Sequence, residues 1–381
     1  MERAVRIYKY GPPEVLTIEP VDVPLPGPGE ALIRHTAIGL NFVEVYFRRG
    51  TFQVPAFPGV LGNEGAGVVE AVGLGVSGIS VGDRVVYADG PLGAYATARI
   101  YPADRLVRIP DAVSDAQAAA SFLRGVTARM LLKEVVPLQR DDTVLFHAAA
   151  GGIGPLFAQW ARALGVRVIG TVSNEAKAAA ARRAGCVEVI DYVKEDFVAR
   201  VRDLTDGEGV AAVFDAVGRD TFLKSLQVLR PRGVLAAFGK ASGSPPAFDP
   251  FLLAPKALHV TWPIRPVYTA SRQQLETSAA DLFDVIRKGT LDVGPARTYA
   301  FDDIALAHRD LESRQIIGAA VIAVRWHATH IVVTARRPER RYSSLRLFGL
   351  AWRFLPTMKP VSLQIIPLRL QRSLPVTARP L

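Results

Sequence analysis

FHAAAGGIG, residues 146–154, sets three alanines and three glycines between two strongly apolar segments. So many positions without a sizeable side chain suit a flexible hinge, a tight packing contact or a cradle for a phosphate. The stretch is preceded by TVLF, which reads as a buried strand, and it opens GPLFAQWARALG, which reads as a helix. In register with the fingerprint G-x-G-x-x-G it runs Ala149-x-Gly151-x-x-Gly154, with alanine in the first place. Gly151 lets backbone approach a pyrophosphate, and Gly154 lets the helix pack closely on the strand. The N–H groups at the helix start then face the anion. Pro155 suits the first turn, where its missing N–H costs nothing. The strand–turn–helix context selects the phosphate cradle over the hinge.

Working outward, strand and helix alternate from Asp142 to about Pro263. TVLFHAA, RVIGTV, EVIDY, VAAVFDAVG, GVLAAFG and LHVTWP read as buried strands. GPLFAQWARALG, EAKAAAARRAG, KEDFVARVRDL and RDTFLKSLQVLR read as the helices between them. Near-continuous apolar strands in such alternation imply a parallel sheet covered on both faces, with ligands at the carboxyl ends of the strands. The first hundred residues differ. EALIRHTAIGL, GVLGNEGAGVVEAVG, GDRVVYA and GAYATARIY are short strands separated by turn residues, a pattern expected of a compact β-barrel-like domain. DAQAAASFLRGVTARMLLKEV is the first long helical candidate. SRQQLETSAADLFDVIRKG and FDDIALAHRDLESRQIIGAAVIAV are expected to return to the first domain.

A dinucleotide site that prefers NAD usually ends its second strand with an acid that accepts from the ribose 2′-OH. Here RVIGTV runs into Ser173-Asn174-Glu175-Ala176-Lys177 with no acid where strand gives way to loop. Ser173 and Lys177 stand where a 2′-phosphate would arrive, with Arg182 and Arg183 nearby, so NADPH is the expected cofactor. The competing reading makes Lys177 an ordinary solvated helix residue.

The net charge of +10 on 381 residues suggests nucleic acid until it is mapped. Residues 326–381 hold ten Lys and Arg against one acid, Glu339, leaving 36 basic and 35 acidic groups in the rest. The body is nearly neutral, and the basicity belongs to a tail that mixes Arg, Leu, Pro and Ser without a period. That tail reads as a disordered or adventitious extension; a nucleic-acid or membrane-surface arm is the alternative. No run of about eighteen apolar residues argues for a membrane span, and early charges argue against a secretory signal. The single cysteine, Cys186, excludes an internal disulfide framework and fits a reducing, cytoplasmic compartment. It reads as a small buried hydrophobe rather than a nucleophile.

Several motifs in order carry a family resemblance: GPPEVL (11–16), AIGLNFVEVYFRRG (37–50), PGVLGNEGAGVVEAVG (58–73), VGDRVVYA (81–88), GAYA (93–96), HAAAGGIG (147–154), FDAVGRDT (214–221) and LESR (311–314). Over about residues 3–324 the chain resembles the zinc-free quinone oxidoreductase, or zeta-crystallin-like, branch of the medium-chain dehydrogenase/reductases. The resemblance implies an α/β protein: a GroES-like β-barrel catalytic domain (1–123), an inserted doubly wound Rossmann domain binding NADP (124–263), and a return to the catalytic domain (264–325). It also implies NADPH as hydride donor, a small-molecule quinone as acceptor and a homodimer. Carried over by position, Asn41 and Tyr46 are catalytic and face the nicotinamide. Gly151, Gly152 and Ile153 would meet the pyrophosphate, with Ala150 and Gly154 beside them among the cofactor-binding residues. Ser173, Lys177 and Tyr192 would meet the adenosine phosphate, while Thr127, Phe238 and Gly239 would flank the cofactor.

Zinc-dependent relatives place Cys and His where this chain has Asn41 and Asn63, and one cysteine cannot supply a zinc site, so no metal is expected. Glu64 alone is not a site. Two departures bear on substrate range: Met130 stands where this branch generally has tyrosine. Trp262 stands where it usually has arginine, a loss that Arg265 would partly replace.

Other signals are set aside. Gly78-Ile79-Ser80-Val81-Gly82 matches G-x-S-x-G, yet a Gly-rich turn precedes it and a strand follows, the reverse of a nucleophile elbow. The six histidines form no metal-ligand spacing, and His147 reads as packing beside the Gly-rich turn. Tyr46 reads as a cleft-lining aromatic, with proton donation as the alternative. The expected function is metal-independent reduction of quinones by NADPH. The alternatives are reduction of activated double bonds in enones or enoyl thioesters, nucleic-acid binding through the tail, and a structural protein that retains a cofactor fold.

Overall fold

The computed structural model describes residues 1–325. The basic tail, with its expected disorder or adventitious origin and its nucleic-acid alternative, lies outside the described residues. The chain begins with β1 (Glu2–Ile7), β2 (Thr17–Val21) and β3 (Glu30–Leu40), then α1 (Phe42–Arg48) and the short β4 (Gly59–Val60). Next come β5 (Glu64–Val72), β6 (Arg84–Ala88), β7 (Ala98–Pro102) and β8 (Val107–Arg108). β1 joins β2 and β4 in a small sheet, while β3, β5, β6 and β8 run side by side with β7 on β3. β3 is the spine of this layer. It buries alternate residues from Ala31 to Ala37, then buries Ile38, Gly39 and Leu40 in succession as it passes into the interior. Two shifts of register against β5, at Leu32/Ile33 and His35/Ala37, bend it as barrel curvature requires.

The long helix α2 (Asp115–Met130) starts at Ser114, which forms a capping box with Gln117. The helical stretch expected over 115–135 ends differently: after Met130 the chain relaxes into one π-helical turn, Leu131–Val135. The alternating region then builds β9 (Thr143–Phe146), α3 (Gly154–Ala163), β10 (Arg167–Val172), α4 (Glu175–Ala184), β11 (Glu188–Asp191), α5 (Phe197–Leu204), β12 (Val210–Asp215), α6 (Phe222–Gln227), β13 (Leu229–Ala237) and β14 (His259–Thr261). These strands form one parallel sheet in the order β11-β10-β9-β12-β13-β14. Every residue of β12 is buried, as a central strand covered on both faces should be. The order reverses between β9 and β12, the switch point where such sheets leave a crevice.

Two helices are shorter than their apolar pattern. α5 begins only at Phe197 because the Asp196 carboxylate takes the N–H groups of Val198 and Ala199 at 2.8 and 3.1 Å. α6 begins only at Phe222 because buried Asp215 holds residues 217–221 in a loop. Beyond β14 lie α7 (Arg265–Tyr268), α8 (Arg272–Arg287), β15 (Arg297–Ala300), α9 (Ile304–Glu312) and β16 (Ala320–Ala323). β15 pairs with β16, and β16 pairs antiparallel with β3, so the chain returns to the sheet formed by its first hundred residues. Among the described residues no helix is long and apolar enough to cross a membrane.

Candidate active site

A cleft of about 1120 Å³ runs from the carboxyl ends of the parallel strands to α1 and the turn after β6. It gathers all the residues carried over by position: Asn41, Tyr46, Thr127, Ala150, Gly151, Gly152, Ile153, Gly154, Ser173, Lys177, Tyr192, Phe238 and Gly239. At its middle lies the turn between β9 and α3. Ala149 N–H donates to Thr171 O and Gly151 N–H to Ala148 O, at 3.1 and 2.8 Å. A Cβ on Gly151 would meet nothing nearer than Ala148 O at 3.0 Å, so that position faces open cleft. On Gly154 it would lie 2.2 Å from Ala149 O, so here the glycine is a packing requirement. Ala150 O in turn accepts from Gly318 N–H at 3.0 Å, which anchors the segment after α9 to the glycine turn.

That anchor explains a residue the sequence reading left without a role. Arg314, in the quoted LESR, adopts a left-handed φ of 59° just beyond α9 and borders the same end of the cleft as Lys177. Lys177 donates from Nζ to Ser173 Oγ at 3.0 Å, and its backbone N–H is capped by Asn174 Oδ1. Burial, and then the charge of Arg314, lower the Lys177 ammonium below its usual range. Neither cation has an acidic partner among the described residues. Arg182, by contrast, is ion-paired with Glu175 at 2.9 Å, and neither it nor Arg183 borders the cleft, whereas Arg314 does.

At the other end, Asn41 sits between two buried carboxylates. Its backbone N–H donates to Glu44 Oε2 and its Nδ2 to Glu64 Oε2, both at 2.9 Å. Glu64 also accepts from Leu123 N–H at 2.7 Å. Glu44 accepts from the backbone and side-chain nitrogens of Asn63 at 3.1 and 3.2 Å. Glu64 takes one N–H of Nδ2, which leaves Asn41 a second N–H donor as well as the Oδ1 acceptor. Tyr46 packs edge-on between Phe42 and Phe52 and accepts from Lys240 N–H at 3.0 Å. Its own hydroxyl proton stays available, and burial raises the phenol above its usual range. Zinc does not fit here. The amides of Asn41 and Asn63 are bonded to the carboxylates, and among the described residues no three His, Cys, Asp or Glu gather as a ligand group.

Burial pushes the Glu44 carboxyl up to about 7, against the opposing pull of Asn63 and nearby backbone donors. The folded protein therefore holds a proton that the unfolded chain releases from about pH 4.5 upward. Stability from this group is fully present below that pH and lost as pH rises to about 7, at about 1.4 kcal/mol per pH unit. Denaturant melts from about pH 5 to 7.5 should show this decline, and Glu44→Gln should flatten it. A slope that is the same in the variant would refute the assignment.

Two departures resolve differently. Met130 is buried in the cleft wall, and Trp262 borders the cleft while 43% exposed. Arg265 does not replace the missing arginine as a free cation: both of its terminal nitrogens are held by Asp89. His147 is buried with Nδ1 3.0 Å from Thr171 Oγ1 and Nε2 3.0 Å from Ser225 Oγ, so both ring nitrogens are occupied. Ser80 lies in an exposed turn leading into β6 and accompanies no base.

Residues 27–111 match the alcohol dehydrogenase GroES-like domain, and residues 152–283 match the zinc-binding dehydrogenase domain. The quinone oxidoreductase of Pseudomonas aeruginosa is 43% identical over 323 residues, covering 84% of this chain and 99% of that protein. The 2-haloacrylate reductase of a Burkholderia species is 42% identical over 332 residues, with the same coverage. The crystal structure of Escherichia coli quinone oxidoreductase complexed with NADPH superposes with a TM-score of 0.83 at 40% identity, covering 84% of this chain and all of that one. The fold and cleft are those of a medium-chain dehydrogenase/reductase, and the chain belongs to the quinone oxidoreductase branch of that family.

Proposed function

We propose that the protein reduces quinones with NADPH and needs no metal. The observation that carries this is the pair Lys177 and Arg314, two cations without an acidic partner among the described residues, at the end of a glycine-lined cleft. Such a pair suits a 2′-phosphate, and the open cradle at Gly151 suits the pyrophosphate that precedes it. Ser173, Lys177, Tyr192 and Arg314 would hold the adenosine phosphate, Ala150 to Gly154 the pyrophosphate, and Thr127, Phe238 and Gly239 the remainder. The cofactor supplies a hydride when bound. The quinone takes that hydride and a proton to become a hydroquinone, and the aromaticity it gains lessens the need for a metal or a strong acid.

What the chain adds is position and dryness. Asn41, oriented by Glu64, presents its amide at the reacting end. The Tyr46 hydroxyl, fixed by Lys240 N–H and kept protonated by burial, can donate to a carbonyl oxygen. The aromatic wall of Phe42 and Phe52 excludes water. We further propose the division 1–123, 124–263 and 264–325 into catalytic domain, cofactor domain and return segment, and a cytoplasmic homodimer. The dimer is supported by β14 at the edge of the parallel sheet and by the exposed apolar side chains of Phe251, Leu252, Ile264 and Val267. A second reading, reduction of activated double bonds, is supported by the identity with a 2-haloacrylate reductase.

Following NADPH oxidation with a panel of quinones, enones and aldehydes tests the proposal. Quinones should be turned over best, and activity should survive dialysis against a strong chelator. Turnover of enones alone would favour the second reading. One zinc per chain, with activity lost on its removal, would sink metal independence.

A further inference from the structure

The substrate end of the cleft contains one charged pair that the proposed chemistry does not use. Arg265, in the first turn of α7, reaches across the cleft to Asp89, the residue that follows β6. Nη1 meets Oδ2 at 2.5 Å and Nη2 meets Oδ1 at 2.6 Å, a two-pronged pair whose side chains are only 11% and 16% exposed. Around it the cleft is apolar: Phe42, Phe52, Leu92, Trp262, Ile264 and Pro266. The geometry points to Asp89 as a specificity-determining residue. By filling both prongs of the Arg265 fork, it closes the substrate end to carboxylate-bearing acceptors and leaves that end to neutral ones.

A planar guanidinium is the side chain best matched to a carboxylate, and one anchored at a substrate cleft would ordinarily recruit acids. Here the matching partner is built in. An incoming carboxylate would have to displace Asp89 from a pair largely shielded from water, then lie beside the displaced negative charge. The other charges at this end offer no substitute anchor of the same geometry. Arg124 is spent on Leu40 O, Ala120 O and Glu64, and the Lys240 ammonium lies 4.8 Å from the centre of the Phe52 ring. Asp89 also holds its place under backbone constraint. Its φ is 86°, a left-handed value that asparagine and aspartate tolerate better than other residues carrying a Cβ.

This inference rests on the reading as a reductase of neutral quinones, and its test separates the two. Asp89→Asn keeps shape and backbone tolerance while removing the charge. In the NADPH-loaded protein, kcat/KM for 2-chloroacrylate relative to 1,4-naphthoquinone should rise by at least about tenfold, the size of one charge-assisted hydrogen bond. Benzoate, followed by calorimetry, should bind the variant at least about tenfold more tightly than the parent. Adding Arg265→Gln should take both gains back. The inference is overturned if both quantities stay within about threefold in Asp89→Asn, or if the gains survive loss of Arg265. Arg265→Gln alone guards against a variant that fails to fold. It should not raise the acid-to-quinone ratio, because it leaves the Asp89 charge uncompensated; a rise of about tenfold would overturn the inference. A parent that turns over no quinone would sink the functional reading, and the benzoate measurements would still decide the role of Asp89.

Discussion

Replacing Lys177 and Arg314 together by alanine should lower kcat/KM for NADPH by at least about a hundredfold, leaving NADH within about threefold. Each cation can make a charge-assisted hydrogen bond to a 2′-phosphate, worth roughly 1.5–3 kcal/mol, and each 1.4 kcal/mol is about tenfold. Only NADPH carries that phosphate, so only NADPH should suffer. The parent should accordingly prefer NADPH over NADH by at least about tenfold. Lys177→Ala alone should shrink this preference without abolishing it, because Arg314 faces the same space from the far side of the cleft. Without an anion, the two positive charges lie close enough for Arg314 to depress the Lys177 ammonium. Removing both relieves that repulsion, so the thermal midpoint should not fall. Equal efficiency with both cofactors in the parent, or a double variant that loses both alike, would show that these cations do not read the phosphate.

Half of the proposed phosphate pair was legible in the sequence and half was not, for a physical reason. Ser173 and Lys177 follow directly on β10, so a local pattern, strand then loop without an acid, was enough to single them out. Arg314 reaches the site only because β15 and β16 return to β3 and because Gly318 N–H bonds to Ala150 O. Nothing local to LESR announces that approach. The same divide holds elsewhere. The parallel strands were legible because burial on both faces imposes continuous apolar runs, and β12 is the extreme case. The starts of α5 and α6 were not, since the Asp196 side chain caps α5 at Phe197 and Asp215 holds the N–H groups of Val217 and Gly218 in a loop. At the reacting end, Asn41 and Asn63 stood out by occupying zinc-ligand positions. Glu44 did not, and Glu64 stood out only as a lone carboxylate, because a buried acid within an apolar motif betrays its partner only once α1 and β5 are packed together. The ion pair of Asp89 with Arg265 joins residues 176 positions apart and left no trace in either motif.

The glycines of FHAAAGGIG invite the other large test, because two of them do different work. Gly154→Val should destabilise the protein by about 3 kcal/mol, the upper part of the usual range for overpacking, and weaken NADPH and NADH alike. The added Cβ would lie 2.2, 2.5 and 2.7 Å from Ala149 O, C and Cα, all of them backbone atoms that cannot rotate aside. α3 would have to retreat by roughly an ångström, loosening the contact of Phe157 with Phe146 and Phe214, whose ring centroids are each 4.6 Å away. The retreat also carries the helix start away from the pyrophosphate, which both cofactors possess. Gly151→Ala should behave in the opposite sense. Its Cβ meets only Ala148 O, at 3.0 Å, which the turn relieves by a small shift, so the thermal midpoint should fall far less than for Gly154→Val. The methyl group would instead stand in the cradle, weakening both cofactors by at least about tenfold. Direct cofactor titration alongside thermal melts separates these outcomes from each other and from the Lys177/Arg314 variant, which should discriminate between cofactors. A Gly151→Ala protein that bound NADPH as tightly as the parent would mean that the pyrophosphate does not lie against this turn. A Gly154→Val protein that melted like the parent would mean that α3 can move off β9 without cost, and that the glycine is not a packing requirement.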